Sequence, residues 1–258
     1  MTRYLSGHAG PAPEAGGRLR LFCFPYAGGG ASIYSGWQHR LGSRVQVMPV
    51  QLPGREGRSA EPRFTDLESL VDDLDDELGP ALEQPHAFFG HSMGALIAFA
   101  LTQRRHVRGA QLPRCLLLSA YRAPHLPAPQ QVAADADESE LLESLISLGG
   151  IPPIMLDHPE WLSALLPVTR DDLRLCASPG PGPDARVPVP IHAFAGLHDS
   201  LVSPAEVRGW SRYSADGFSM RTLPGGHFFL RDRNHPLFAE LSQLLASLSL
   251  SPTTAVPA

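Results

Sequence analysis

Residues 88–100 read Phe-Phe-Gly-His-Ser-Met-Gly-Ala-Leu-Ile-Ala-Phe-Ala, two apolar runs joined by a short turn that carries a serine. Gly90, Ser92 and Gly94 form a Gly-x-Ser-x-Gly pattern between a predicted strand and a predicted helix, which is typical of a nucleophile elbow. The glycines are expected because a side chain at either position would press into the neighbouring strand or helix. The alternative is a plain turn in which Ser92 only caps the next helix.

The same order of strand and helix recurs along the chain. Apolar or alternating segments predict strands over 19–24, 45–50, 86–89, 114–120, 189–195 and 218–223. The clearest helical spacing begins at Thr65, where Thr65 and Glu68 match a capping box, and runs to Leu78. This alternation predicts the α/β class, with a mostly parallel central sheet flanked by helices.

Residues 121–186 interrupt this order and predict an inserted helical lid. Proline-rich runs at its two ends enclose helix candidates over 137–148 and 160–166, and a third that Thr169 and Asp172 would cap. The domain boundaries that follow are a flexible leader over 1–17, a core over 18–120 and 187–250, and a flexible tail over 251–258. The alternative is an insertion that packs away from the site.

The composition limits the possible functions. A formal charge of −5 without a basic run argues against a nucleic-acid partner. All 21 basic residues are arginine, which excludes a lysine Schiff base or a lysine general base. Acidic residues interleave with the apolar stripe of the helix over 65–78, and we interpret them as a solvated face rather than as metal ligands. No metal or cofactor is predicted.

The cysteines and the apolar runs indicate the compartment. Cys23, Cys115 and Cys176 are odd in number and fit neither a disulfide nor a zinc spacing, so they are predicted to be buried thiols in a reducing compartment. Residues 1–17 lack the apolar core of a signal peptide, and no run approaches membrane-spanning length. We therefore expect a cytoplasmic protein, without a membrane partner, that is a monomer.

Two further residues complete a constellation with Ser92. Asp199 and His227 each follow a predicted strand directly, and the chain order Ser, Asp, His is that of the α/β-hydrolase fold. In such a triad the histidine takes the serine proton and the acid orients the histidine. The rivals that we judge weaker are His91, His192, His198, His235, Asp171, Asp172 and Asp216.

The glycine-rich loop after the first strand is predicted to contribute to an oxyanion hole. Gly28, Gly29 and Gly30 do not match a phosphate-binding loop because the chain has no lysine to complete one. A plain glycine loop is the alternative. The backbone N–H groups of Ala27 and Met93 are the predicted oxyanion donors, and an acyl-serine that water then hydrolyses is the predicted intermediate.

Four sequence blocks, 24–30, 51–56, 90–94 and 225–229, together resemble the type II thioesterases, the free-standing editing enzymes of polyketide and nonribosomal peptide biosynthesis. The resemblance extends from Leu21 to the final helix, and two stretches of the predicted lid share it. It departs after Cys176, where the family usually carries a more aromatic segment than this proline-glycine run. The resemblance implies hydrolysis of acyl groups from the phosphopantetheine thiol of acyl or peptidyl carrier proteins, clearing aberrant or stalled units.

Other readings stay open at this point. A carboxylesterase or lipase acting on oxygen esters needs the same triad. A carrier-binding chaperone without catalysis and an acyltransferase to an alcohol or amine are two more. Candidate docking arginines for an acidic carrier protein are Arg104, Arg105 and Arg108, and separately Arg231 and Arg233, although ordinary solubilising arginines are the favoured interpretation.

Overall fold

The computed structural model describes residues 2–5, 18–127 and 134–250. Six strands form one sheet in the order β2-β1-β3-β4-β5-β6, and each neighbouring pair is parallel. The strands are β1 Leu19–Phe24, β2 Val45–Pro49, β3 His86–His91, β4 Leu116–Ser119, β5 Ile191–Gly196 and β6 Phe218–Leu223. The predicted sheet is confirmed, and the carboxyl ends of its strands meet at one edge.

Eight α-helices lie in the part of the chain that the structure describes. They are α1 Trp37–Leu41, α2 Leu67–Leu82, α3 Met93–Val107, α4 Glu138–Ser147, α5 Pro153–Leu156, α6 Pro159–Ala177, α7 Pro204–Arg208 and α8 Leu237–Leu250. The N-cap of α2 is Asp66, whose carboxylate accepts the Ser69 N–H at 2.8 Å. The predicted cap at Thr65 is therefore wrong by one residue, because the acid competes better for the free N–H groups.

Both faces of the sheet are covered by helices. Successive residues of β3 point to opposite faces, so Phe88 joins the apolar cluster under α2 and α3 while Phe89 joins the cluster under α1 and α8. Both rings are fully buried. The strand that ends at the predicted nucleophile is thus held from both sides.

The helices α4, α5 and α6 form the inserted segment and share a third, smaller apolar cluster built around Leu141, Leu145, Ile151 and Leu166. The helix predicted over 137–148 is confirmed as α4, whereas the prediction of two separate helices over 160–166 and after a cap at Thr169 and Asp172 is wrong. The helix α6 continues through Pro167, Thr169 lies inside it with its hydroxyl donating to the Leu165 carbonyl, and Asp172 binds a distant loop. Residues 128–133 of the predicted lid lie outside the described residues.

The acidic residues of α2 form ion pairs with arginines. Asp76 stays exposed, as the sequence interpretation expected, whereas Asp75 is buried and departs from it. Asp75 is 6% exposed and accepts hydrogen bonds from Arg105 at 2.6 Å and from Arg108 at 2.7 Å. Arg104 pairs with Asp72 at 2.7 Å. These ion pairs join the C-terminal end of α3 to α2, and they give the three arginines a structural role.

Residues 2–5 differ from the predicted flexible leader. They form a short 3-10 turn in which Tyr4 is fully buried, donates its hydroxyl to Asp73 and stacks under Arg58. A buried aromatic ring and its hydrogen bond explain why this end of the chain is fixed. Residues 6–17 and 251–258, predicted as leader and tail, lie outside the described residues.

The three cysteines are free thiols, and Cys23 and Cys115 are buried in the core. Burial raises the pKa of Cys115 and of Cys176 to about 12, so both thiols stay protonated near neutral pH. Within the described ranges, no helix combines the length and the apolar character needed to cross a bilayer.

His86 at the start of β3 leads to a prediction about stability and pH. Its ring packs between Phe22 and Phe88, its Nδ1 donates to the Gln84 carbonyl, and burial lowers its pKa to about 4. Below the ordinary histidine pKa of 6.5 the unfolded chain takes up a proton that native His86 refuses. The free energy of unfolding should therefore fall by about 1.4 kcal/mol per pH unit from this group as the pH drops from 6.5 towards 4.

Urea denaturation of the wild type and of His86→Phe between pH 7 and pH 4.5 measures this contribution, because phenylalanine does not titrate. We expect the free energy of unfolding of His86→Phe to depend less steeply on pH than that of the wild type. The difference in slope should be about 1.4 kcal/mol per pH unit, which corresponds to one proton. His106→Gln, at an exposed histidine on α3, is the matched control and should leave the slope unchanged. Equal slopes in the wild type and His86→Phe would contradict the assignment.

Candidate active site

Ser92 lies on a strained turn between β3 and α3. Its backbone has φ 53° and ψ −123°, a combination that L-residues adopt rarely. A Cβ at Gly90 would overlap the Gly94 carbonyl, and one at Gly94 would overlap the Phe24 carbonyl at the end of β1. The predicted crowding is confirmed, and it makes the turn sharp enough to lift the Ser92 hydroxyl clear of the sheet.

The structure brings Ser92, His227 and Asp199 into one hydrogen-bonded chain. The His227 Nε2 lies 3.0 Å from the Ser92 Oγ, and the His227 Nδ1 lies 2.9 Å from the Asp199 Oδ2. An Asp carboxylate accepts only, so the Nδ1 carries the proton and the Nε2 is free to accept one from the serine. The Ser92 hydroxyl is thus placed against a base whose tautomer is fixed.

The carboxylate of Asp199 is itself held by backbone donors. Its side chain is fully buried, and its Oδ1 accepts the N–H groups of Leu201 at 2.9 Å and Val202 at 3.0 Å. A Cβ at Gly196 would come within 2.9 Å of the Gly225 and Gly226 carbonyls, so the loops after β5 and β6 touch. This close approach places the acid beside the histidine.

His91, next to the nucleophile, supports His227 rather than replacing it. Its ring is fully buried, its Nε2 lies 2.8 Å from the His227 carbonyl, and its Nδ1 lies 3.0 Å from the Ser119 Oγ. Burial, with the neighbouring His227 as a smaller cause, lowers the pKa of His91 well below its usual value. The neutral ring donates to the carbonyl and accepts from the serine.

The other histidines and acids considered as triad candidates lie outside the hydrogen-bonded chain of Ser92, His227 and Asp199. His192 contacts Ser219 on β6, His198 is exposed, and Asp171 pairs with Arg63 and Arg174. Asp216 is exposed in a turn. His235, which we expected at the surface, is only 6% exposed and donates to the Pro224 carbonyl, so it braces the loop that carries His227.

The two predicted oxyanion donors, the N–H groups of Ala27 and Met93, lie on neighbouring elements. Met93 begins α3, where helix N–H groups are left without partners, and Ala27 lies on the loop after β1. Within residues 2–5, 18–127 and 134–250, neither N–H donates to a protein acceptor. Contact of Gly94 with the Phe24 and Pro25 carbonyls brings this loop against the start of α3.

Asp172 and Arg55 are partners that the sequence did not reveal. We placed Asp172 on the lid as a weak rival to Asp199, whereas the structure buries it against Arg55, with oxygen–nitrogen distances of 2.6 and 2.8 Å. Both residues lie in blocks that resemble type II thioesterases. No spacing rule joins residues so far apart in the chain, so only the fold reveals the pair.

A groove of about 580 Å³ lies elsewhere, between α2, α3 and the Pro179–Gly182 loop, and none of Ser92, Asp199 or His227 lines it. In the described part of the chain no three His, Cys, Asp or Glu side chains gather in a way that suits a metal ion.

Comparison with known proteins agrees with this geometry. The model of the thioesterase domain family matches residues 19–245. The gramicidin S biosynthesis protein GrsT of Aneurinibacillus migulanus is 37% identical, over 91% of each chain. The thioesterase RedJ of the prodiginine pathway in Streptomyces coelicolor is 38% identical, covers 91% of this chain and 90% of its own, and superposes with a TM-score of 0.81.

A third similar protein is the type II thioesterase BorB from the borrelidin biosynthetic cluster. It is 34% identical, covers 91% of this chain and 95% of its own, and superposes with a TM-score of 0.78. The predicted α/β-hydrolase fold and the predicted family resemblance are thereby confirmed.

The crowding at Gly94 predicts the result of adding one methyl group there. Gly94→Ala should displace the start of α3 from the end of β1 and slow the labelling of Ser92 by a fluorophosphonate by on the order of 10²-fold, as expected when an oxyanion donor is misplaced. Gly79→Ala, at a helical glycine of α2 with open space around it, is the matched control. It should leave labelling unchanged, and equal rates for both variants would contradict this account of the elbow.

Proposed function

The chain belongs to the thioesterase domain family and is a thioester hydrolase, and from this premise we propose that Ser92, Asp199 and His227 are its catalytic triad. The observation that carries the proposal is the His227 imidazole, which bridges the Ser92 Oγ and the Asp199 carboxylate at 3.0 and 2.9 Å. These distances suit proton transfer without further movement of the three side chains.

Acylation begins with attack of the Ser92 oxygen on the thioester carbonyl while His227 Nε2 takes the hydroxyl proton. The oxygen of the tetrahedral intermediate accepts hydrogen bonds from the Met93 and Ala27 N–H groups. The intermediate then breaks its carbon–sulfur bond, and the imidazolium returns the proton to the leaving thiolate. The products of this half-reaction are a free thiol and an ester on Ser92.

Deacylation repeats these steps with water as the nucleophile. His227 removes a proton from water, the hydroxide attacks the Ser92 ester, and the same two N–H groups stabilise the oxyanion. The carbon–oxygen bond to Ser92 breaks, His227 reprotonates the serine, and a carboxylic acid leaves. Throughout the cycle Asp199 orients the imidazole through its Nδ1 and stabilises the positive charge that forms on it.

We propose further that the thiol is the phosphopantetheine arm of an acyl or peptidyl carrier protein, and that hydrolysis removes aberrant or stalled acyl units from a modular synthase. The support is the biosynthetic setting of the relatives, which include GrsT, RedJ and BorB. A cytoplasmic, monomeric enzyme stays a prediction. Of the candidate docking arginines, Arg105 is buried in its pair with Asp75, whereas Arg104 and Arg108 pair with acidic groups at the surface.

Mass spectrometry of a carrier protein loaded with several acyl groups tests the substrate. The wild type should restore the mass of the free phosphopantetheinyl carrier, and Ser92→Ala should slow this by about 10⁴-fold or more because the acyl-serine route is lost. Ser43→Ala, at an exposed serine in the turn before β2, is the control and should behave as the wild type. A carrier that stays loaded while a small acyl thioester is hydrolysed would overturn the carrier assignment alone.

Pairs of substrates that carry the same acyl group, one as a thioester and one as an oxygen ester, distinguish a thioesterase from a carboxylesterase. The value of kcat/KM for an acyl-pantetheine thioester should exceed that for the ester with the same acyl group by more than about tenfold. A higher value for the oxygen ester would instead favour the carboxylesterase reading, which uses the same triad.

A further inference from the structure

We propose that Asp172, on the lid helix α6, is a positioning residue for the oxyanion hole. It fixes the backbone of Gly28 and thereby directs the Ala27 N–H at the reaction centre. This inference rests on the serine mechanism proposed above. It makes a residue of the inserted segment part of the apparatus that sets the rate of the chemical step.

Both oxygens of the Asp172 carboxylate accept hydrogen bonds. Its Oδ2 accepts the Gly28 N–H at 2.7 Å and the Arg55 Nη1 at 2.6 Å, and its Oδ1 accepts the Arg55 Nη2 at 2.8 Å. The side chains of Arg55 and Asp172 are 7% and 2% exposed. A buried carboxylate in a bidentate ion pair of this kind restricts the positions of the Arg55 guanidinium and the Gly28 N–H.

The loop is held on its other side as well. The Arg55 Nη1 also lies 3.2 Å from the Gly29 carbonyl, so the arginine and the aspartate together bind the 27–28 and 29–30 peptide groups of the loop. Gly28 has φ +78°, and a Cβ there would overlap the Thr169 hydroxyl, one turn before Asp172 on α6. The absence of a side chain at Gly28 is what lets α6 approach the loop closely.

The link to catalysis is the peptide bond between Ala27 and Gly28. The Gly28 N–H belongs to the peptide plane that follows the Ala27 Cα, so fixing its direction restricts the rotation of the backbone beside the Ala27 N–H. Arg55 has a second role here, because an unpaired carboxylate so close to the oxyanion hole would repel the negative charge that develops there. The Arg55–Asp172 ion pair therefore holds the loop in place without adding a net negative charge beside the oxyanion hole.

The chain offers a matched buried pair away from the site. Arg105 and Asp75, on α3 and α2, are joined at 2.6 Å and are 2% and 5% exposed. Breaking this pair also leaves a buried arginine without its carboxylate partner, as breaking the Arg55–Asp172 pair does, but it does not affect the loop after β1. It therefore separates a loss of stability from a loss of positioning.

The experiment compares Asp172→Asn with Asp75→Asn in the full chain, using thiol release from a small acyl thioester and the rate of fluorophosphonate labelling of Ser92. We expect kcat of Asp172→Asn to fall about 10- to 100-fold, less than for complete loss of a donor, with KM within about threefold of the wild type. Labelling should slow in proportion. Asp75→Asn should keep kcat and the labelling rate per folded molecule while it lowers Tm.

A kcat and a labelling rate for Asp172→Asn that match those of Asp75→Asn, per folded molecule, would overturn the proposal. If Asp172→Asn does not fold, Arg55→Lys decides, because lysine keeps the positive charge but cannot grip both carboxylate oxygens. We expect its kcat to fall about three- to tenfold at unchanged KM, and an unchanged kcat would overturn the proposal. Full activity of Ser92→Ala in the same assay would instead reject the serine mechanism itself.

Discussion

The left-handed backbone of Ser92 is the constraint on which the rest of the structure depends. A serine at φ 53° is tolerated only where the surrounding packing fixes it, and here β3 and α3 are both buried on either side of the turn. The neighbouring β1 ends against Gly94, so the first loop of the domain is drawn to the nucleophile. The sharp turn at Ser92 and the position of the loop after β1 therefore both depend on this one close contact.

The polar groups of the site form a connected set in which each buried member has a partner. Asp199 is held by two backbone N–H groups, His227 by Asp199, and the His227 carbonyl by His91, which in turn contacts Ser119 on β4. Such a network is rigid because an unpaired member would be costly in this low-dielectric interior. It ties the loop after β6 to strands in the middle of the sheet.

The sequence predicted correctly those features that depend on local patterns of residues. The parallel sheet followed from alternating strands and helices, and Ser92, Asp199 and His227 each stood directly after a strand, so topology brings them together. It failed where a partner lies far away in the chain. Asp172 looked like a helix cap because its true partner, Arg55, is 117 residues earlier, and the acids of α2 looked solvated because their arginines are on α3.

The helix α6, which contains Pro167, connects the inserted segment with the main body of the domain. Leu166 and Leu173 pack in the small cluster of the inserted segment, whereas Leu175 joins the main core and Asp172 binds the loop after β1. An internal proline removes one helical hydrogen bond, so bending is easiest at that point. The helix thus provides a mechanical connection, because a displacement of residues 168–177 would be transmitted to Gly28 through the Asp172 carboxylate.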